Sequence, residues 1–304
     1  MPDSAAETSE ATRTGPYAAL IAVQICFGTF PVAGKAVLDV IPSVALVGFR
    51  VGIAAVILFV FQRLRGRGMK LANKGDYWRL AVFGLLGITL NQLFFVKGLS
   101  LTRAANASLL AVTIPIFTVL AGTVLGRESL SGRKALGIIF SAAGVIFLID
   151  PRNASFSAET TLGDLLVVLN SLCYGIYVAT SKDVVTRNGA MRSITWIFLF
   201  SALICVPMGA LSLSTVDIQA VDPVTWLLVV HIAIAATAMP YFLNAWALAK
   251  VDPSTVAVFV YLQPVIGFLT AVALLGERIG VNFIIAAAFI FAGVFLVTRK
   301  PRLL

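Results

Sequence analysis

Ten stretches of mostly apolar residues follow one another along the chain with short connections between them, near 17–37, 43–62, 78–98, 104–125, 133–149, 163–182, 192–212, 223–247, 254–275 and 279–298. About 20 apolar residues is the length an α-helix needs to cross the hydrocarbon core of a bilayer. Backbone in lipid has no water to bond, so each crossing must satisfy its own peptide groups as a helix. Composition points the same way. Hydrophobic residues make up 59% of the 304 positions and charged residues 12%, against about 25% charged in a soluble globular chain. The pattern predicts an all-α membrane protein of ten transmembrane helices with no separate soluble domain. Its weakest span is the fifth, where only Ala135 to Ile149 is free of charge.

The net charge of +9 raises nucleic acid as a partner, but Lys and Arg fall in short connections rather than on one continuous face. With the N-terminus in the cytoplasm, 17 of the 23 Lys and Arg residues lie on the cytoplasmic side, among them Arg63, Arg65, Arg67, Lys70, Lys74 and Arg79 in a single connection. The other side holds Lys35, Lys97, Arg103, Arg152 and Arg278, with Arg50 left inside a span. This is a positive-inside distribution, and it places both termini in the cytoplasm. The first fifteen residues are polar with one Arg, and no A-x-A-like site follows, so a cleaved signal peptide is not expected. Cys26, Cys173 and Cys205 all fall inside spans, with no disulfide or zinc spacing.

An internal repeat sharpens the architecture. Cys26-Phe27-Gly28-Thr29-Phe30 matches Cys173-Tyr174-Gly175-Ile176-Tyr177 at an offset of 147, which also takes Lys35 to Lys182. Pro115 matches Pro264, Glu128 matches Glu277, and Ala143-Gly144-Val145 matches Ala292-Gly293-Val294, all at an offset of 149. Each unit holds five spans, an odd number, so the second unit enters the membrane from the opposite side and the copies are inverted. The organisation read from this is a polar cytoplasmic segment 1–15, a first five-helix repeat 16–149, an extracytoplasmic linker 150–162, a second inverted repeat 163–298 and a basic cytoplasmic tail 299–304. Inverted repeats place a substrate site near the bilayer midplane and give alternating access by rocking one half against the other.

The same residues carry a family resemblance. Phe27-Gly28 to Lys35, Pro42 to Arg50, Ala104-Ala105-Asn106-Ala107-Ser108 to Pro115 with Leu125-Gly126-Arg127-Glu128, and Pro253-Ser254-Thr255 to Pro264 with Leu274-Leu275-Gly276-Glu277 resemble the EamA-like branch of the drug/metabolite transporter superfamily over about 17–298. Phe27 stands where that family usually has Trp. The resemblance implies export of amino acids or related metabolites across a bacterial inner membrane, and some members handle aromatic amino acids.

Polar and aromatic residues inside the spans are candidates for the pathway. Arg50 is the only Arg or Lys well inside a span, where an unpaired charge costs at least about 2.5–3.5 kcal/mol. Two readings stand for it: a counter-charge for a substrate carboxylate, or a side chain that snorkels or ties helix ends together. Lys35 and Lys182 are repeat equivalents on opposite sides of the membrane, suited to gating or to structure. Phe30, Tyr174, Tyr177, Tyr241, Asn244, Tyr261 and Gln263, with the polar-aromatic patch of Asn91, Gln92, Phe94 and Phe95 on the third span, are expected to face the bundle because an unbonded phenol or amide in lipid is expensive. Such a lining would suit an aromatic or amphiphilic solute, and helix packing through interhelical hydrogen bonds is the competing reading. Thr113 is expected to bond backbone near Pro115. Pro31, Pro115, Pro240 and Pro264 are expected to interrupt helices near mid-membrane and free carbonyls there. His231, the sole histidine, either titrates near neutral pH or makes an interhelical bond.

No Asp or Glu lies well inside a span, so proton coupling through a buried carboxylate is not expected. No His-Glu-x-x-His, Gly-x-Ser-x-Gly or metal-spaced His cluster appears, which argues against an enzyme. No extra-membrane module for a sensor is present. A phosphate-ester exchanger would need several basic groups in its cavity, so a zwitterion or neutral metabolite fits better. The expected partners are a small-molecule substrate and the lipid bilayer, with no cofactor, no metal and no nucleic acid, and nothing in the pattern specifies an oligomeric state.

Overall fold

The computed structural model describes residues 3–66, 68–102, 107, 110–111, 113–149, 158–215, 218, 221–263, 265–266 and 281–298, excluding the side chains of 3–13, 29, 31–32, 35, 148–149, 158–160, 215, 282–283 and 298. The described residues contain helices and turns and no strand. In chain order the helices are α1 (Asp3–Leu38), α2 (Ser43–Leu64), α3 (Lys74–Leu101), α4 (Thr113–Val124), α5 (Gly132–Ile149), α6 (Ala158–Asn188), α7 (Ala190–Ser212), α8 (Pro223–Leu248), α9 (Pro253–Val258) and α10 (Val281–Thr298). Of these, α2, α3, most of α6 (Thr161–Asn188), α7 and α8 are long and apolar enough to cross a membrane. Shorter apolar stretches cover Thr14–Gly28, Thr113–Val124 and Ile284–Val297.

Two helices change pitch partway along. α3 contains a π-helical segment over Leu85–Leu90, and α8 contains one over Ile234–Ala238. The first begins at Leu85 and the second at Ile234, 149 residues on, so both breaks fall at the same place in their repeats. A π turn reroutes backbone bonds locally and often marks functional positions in helices.

Glycine sets the helix spacing where packing is closest. A Cβ at Gly137 on α5 would lie 2.7 Å from the carbonyl oxygen of Gly293 on α10, and one at Gly144 would lie 2.8 Å from that of Ala286. A shift of 149 residues carries Gly137 to Ala286 and Gly144 to Gly293, so each contact is the image of the other. Midway, Ser141 Oγ donates at 3.3 Å to the carbonyl of Ile290, its own equivalent at that shift. α5 and α10 thus cross about a local two-fold axis. A second close crossing joins α2 to α7, where a Cβ at Gly48 would lie 2.9 Å from both the Cys205 carbonyl oxygen and Gly209 Cα. Small residues let helices approach this closely in lipid, where dispersion and interhelical bonds drive association.

Several expectations are corrected. α1 begins at Asp3, within the segment expected to be a polar terminus, and α6 begins at Ala158, within the expected linker. α1 runs through position 31 without a break. Pro115 does not interrupt a helix either; it sits in the first turn of α4, where an absent N–H leaves little unsatisfied. Pro264, Glu277, Arg103, Arg152 and Arg278 lie outside the described residues.

Six ion pairs among the described residues gather at the end that the charge distribution assigns to the cytoplasm. Asp183 on α6 pairs with Arg79 of α3 at 2.7 Å and with Arg127 at 3.2 Å, and Asp76 pairs with Arg187 at 2.6 Å. Lys134 of α5 reaches Glu128 at 2.5 Å, and Glu128 also accepts from the backbone N–H and the hydroxyl of Ser254 on α9. These bonds tie α3, α5, α6 and α9 together across one mouth of the bundle.

Candidate functional site: a central polar and aromatic cavity

A cavity of about 130 Å³ lies among α1, α2, α3, α6, α8, α9 and the start of α4. Phe27, Phe30, Phe95, Tyr174 and Tyr241 supply its rings, and Gln24, Arg50, Asn91, Gln92, Asn170, Asn244 and Gln263 supply its polar groups. Leu99, Ala107, Ala111, Ile114, Val256 and Val260 complete the wall. Arg50 is its only cation, and no carboxylate lines it among the described residues.

Most of the polar groups hold one another. Tyr241 Oη donates to Asn91 Oδ1 at 3.0 Å, while Asn170 Nδ2 donates to the Asn91 backbone carbonyl at 2.8 Å. Asn244 Nδ2 donates to the Tyr174 phenol oxygen, and Gln263 Nε2 donates to Gln24 Oε1 at 2.8 Å. These bonds run between α3 and α8, α3 and α6, α6 and α8, and α1 and the segment after α9. Gln92 differs: it is 3% exposed and lies against the Tyr241 phenol, and neither amide atom makes a well-formed hydrogen bond among the described residues.

Arg50 is 3% exposed and committed to α8. In an α-helix the Ala236 carbonyl would accept from the N–H of residue 240, but residue 240 is proline and has none. Arg50 Nη2 takes that place, donating to the Ala236 carbonyl at 2.8 Å, and Nε donates to Thr237 Oγ1 at 2.9 Å. Thr237 Oγ1 in turn donates to the Ile232 carbonyl at 2.9 Å. The guanidinium also stacks over the Phe30 ring at 4.3 Å, a favourable cation–π geometry. The two readings of Arg50 are therefore compatible. The side chain ties a helix break and also borders the cavity, with Nη1 carrying no hydrogen bond among the described residues.

The lining follows the repeat. At a shift of 149 residues Gln92 maps to Tyr241, Phe95 to Asn244, Ala107 to Val256, Ala111 to Val260 and Ile114 to Gln263, and all ten line the cavity. At 147, Phe27 maps to Tyr174, and both line it.

Of the residues picked from sequence, Phe30, Arg50, Asn91, Phe95, Tyr174, Tyr241, Asn244 and Gln263 border the cavity. Tyr177 does not. Gly87 in the α3 π segment has no side chain to hold Tyr177 off, and the ring packs there, where a Cβ would lie 2.5 Å from Cγ. Tyr261 is buried but faces elsewhere, because Val256, Val260 and Gln263 form the inward stripe of their helix. Thr113 Oγ1 donates to the Leu110 carbonyl at 2.7 Å, beside Pro115 as expected but behind Ile114, which reaches the cavity. Lys182 pairs with Asp252 at 3.3 Å in the ionic end. The Lys35 side chain lies outside the described residues. His231 is exposed on α8 with no hydrogen bond among the described residues, so it makes no interhelical bond. Gln24 and Asn170 were missed, although an amide in the middle of an apolar span is itself a signal of inward orientation.

Comparison with known proteins agrees with this architecture. An "uncharacterized transporter" of Archaeoglobus fulgidus is 27% identical over 78% of this chain and 81% of its own. The uncharacterized transporter YetK of Bacillus subtilis is 22% identical over 95% and 88%, and the WAT1-related protein At3g18200 of Arabidopsis thaliana is 24% identical over 92% and 80%. A solved crystal structure superposes with a TM-score of 0.76 over 94% of this chain and 97% of its own at 22% identity, which establishes a shared fold. The profile of the EamA-like transporter family matches twice, over residues 14–150 and 161–299. The chain therefore belongs to the EamA-like transporter family and is a multi-pass membrane transporter rather than an enzyme.

Proposed function

We propose that the protein is a carrier of ten membrane spans, built as two inverted five-helix repeats, that exports small amphiphilic metabolites by alternating access. Amino acids, aromatic ones included, are its substrate class, the membrane is a bacterial inner membrane, and both termini are cytoplasmic. The observation that carries this reading is the lining itself: repeat-equivalent residues from both halves meet around one cavity. The mutual crossing of α5 and α10 supports inversion, since equivalent contacts there exchange under the repeat shift. The ion-paired mouth fits a state closed on the cytoplasmic side.

The cavity chemistry supports the substrate class. Five rings offer stacking surface, one cation offers a site for a carboxylate, and the amides and phenols supply neutral bonds. A single guanidinium is too little for a polyphosphate, whose recognition uses several basic groups. With no carboxylate in the described lining, transport follows the solute's own gradient. The test is uptake of radiolabelled phenylalanine, leucine and cysteine into liposomes holding the purified full-length chain, with and without an imposed pH gradient. Saturable uptake that favours phenylalanine and ignores the gradient is expected. Failure with every amino acid would end the substrate assignment, and strict dependence on a pH gradient would end the uncoupled mechanism.

A further inference from the structure

Buried polar groups in native proteins are almost always bonded, and each exception calls for an explanation. The other cavity amides each commit one end within the wall: Asn91 and Gln24 through their oxygens, Asn170, Asn244 and Gln263 through their nitrogens. Gln92 commits neither end to a well-formed bond among the described residues. It sits beside the Tyr241 phenol, whose hydrogen goes to Asn91, and one residue from an asparagine that the same network holds in place. The terminal torsion of a glutamine is soft, and this one gives up only its contact with the Tyr241 phenol when it turns toward a ligand.

An amide with neither end held by a well-formed bond offers a donor and an acceptor side by side. The ligand group that matches it carries an anion and a cation on one carbon. We infer that Gln92 is the specificity-determining residue for the zwitterionic head of an α-amino acid: Nε2 donates to the carboxylate and Oε1 accepts from the ammonium. Nη1 of Arg50, without a hydrogen bond among the described residues, donates to the same carboxylate from α2. With no Asp or Glu in the described lining, a neutral oxygen must receive the ammonium. The assignment rests on the transport reading above and adds the residue that selects the head group.

The test uses the full-length chain in liposomes with three probes: L-phenylalanine, 3-phenylpropionate, which lacks the ammonium, and phenethylamine, which lacks the carboxylate. Wild type should prefer phenylalanine to both. Gln92→Leu, close in shape and apolar, should raise the half-saturation concentration for phenylalanine by about tenfold to a hundredfold, the range for losing hydrogen bonds to charged groups, and should abolish the preference. Its melting temperature in detergent should stay level or rise, because leucine removes an unpaired buried amide. A residue that merely holds helices together would instead lower the melting temperature. Uptake of phenylalanine by Gln92→Leu with unchanged half-saturation would overturn the assignment while leaving the transport reading standing. If wild type takes up none of the three, the transport reading fails and the assignment falls with it.

Discussion

Replacing Arg50 by Met tests whether the guanidinium substitutes for the N–H that Pro240 lacks. The side chain gives two hydrogen bonds, at 2.8 Å to the Ala236 carbonyl and 2.9 Å to Thr237 Oγ1. Bonds from a charged donor contribute about 1.5–3 kcal/mol each. Against them stands the desolvation of a buried guanidinium, several kcal/mol even after relaxation, which the substitution relieves. The single variant is thus a difference between terms of similar size, and its sign decides little. The coupling to Pro240 is decisive. Pro240→Ala returns an N–H at the position that an α-helix directs to the Ala236 carbonyl, so a carbonyl vacated by Arg50→Met finds a donor only in the double variant. The expected coupling is about 1–3 kcal/mol, the cost of an unfilled buried acceptor. SDS-titration unfolding of wild type, both single variants and the double variant in mixed micelles measures it. Arg50→Met should cost less stability in the Pro240→Ala background by that amount. Effects that add to within about 0.5 kcal/mol would refute the substitution of one donor for the other.

Gly87→Ala should destabilise the bundle by about 1–3 kcal/mol, the usual cost of overpacking, because the added Cβ would meet the Tyr177 ring, which Phe83 and Tyr174 flank. An unchanged melting temperature would mean that α3 and α6 do not approach as closely as their contact requires. Asp222 caps α8: it accepts from the Thr225 hydroxyl at 2.6 Å and from the backbone N–H groups of Thr225 and Val224 at 3.0 and 2.8 Å, and these bonds, the hydroxyl's first, hold its pKa below the ordinary carboxylate value. A depressed folded pKa means stabilisation that is full above the unfolded value of about 3.9 and is lost as pH falls through the folded value. Protection of the Thr225 amide from hydrogen exchange should therefore drop below about pH 4 in wild type, and an identical drop in Asp222→Ala would exclude the cap as its cause.

What was legible in the sequence follows from what kind of physical constraint each feature obeys. Helix positions were legible because lipid demands long apolar stretches, and the repeat because its residues still match. The face that each helix presents was legible only in part. Tyr174 and Tyr177 lie three apart and share a face by periodicity, yet a glycine 90 positions back, on α3, draws one ring out of the cavity wall. Asn91 and Gln92 read as equal neighbours in sequence. They differ in the structure because Asn170 and Tyr241, 79 and 150 residues away, make well-formed hydrogen bonds to Asn91 and none to Gln92. Likewise, no local pattern at Arg50 announces a partner 186 residues on. The proline at 240 did carry that information, since a missing N–H in a span requires some other donor to satisfy the carbonyl.

If the cavity is the proposed substrate site, the repeat also explains how a lining drawn from equivalent positions would bind a ligand in one orientation. Equivalent positions bring similar backbone to both sides of the axis, but not the same chemistry. Gln92 and Phe95 face Tyr241 and Asn244, so the polar and aromatic members of the pair are exchanged between halves. Arg50 has no basic equivalent: the repeat offset carries it to the apolar run Ile197-Phe198-Leu199, and Phe198 packs edge-on against Tyr241 at 5.5 Å. The charge therefore sits on one side of the axis only. Under the proposed inverted-repeat carrier, two similar halves rock against each other between opposite openings, which is alternating access. On that reading the asymmetric side chains are what would fix the ligand's charged end against α2 and α3 while the frame around it exchanges one opening for the other.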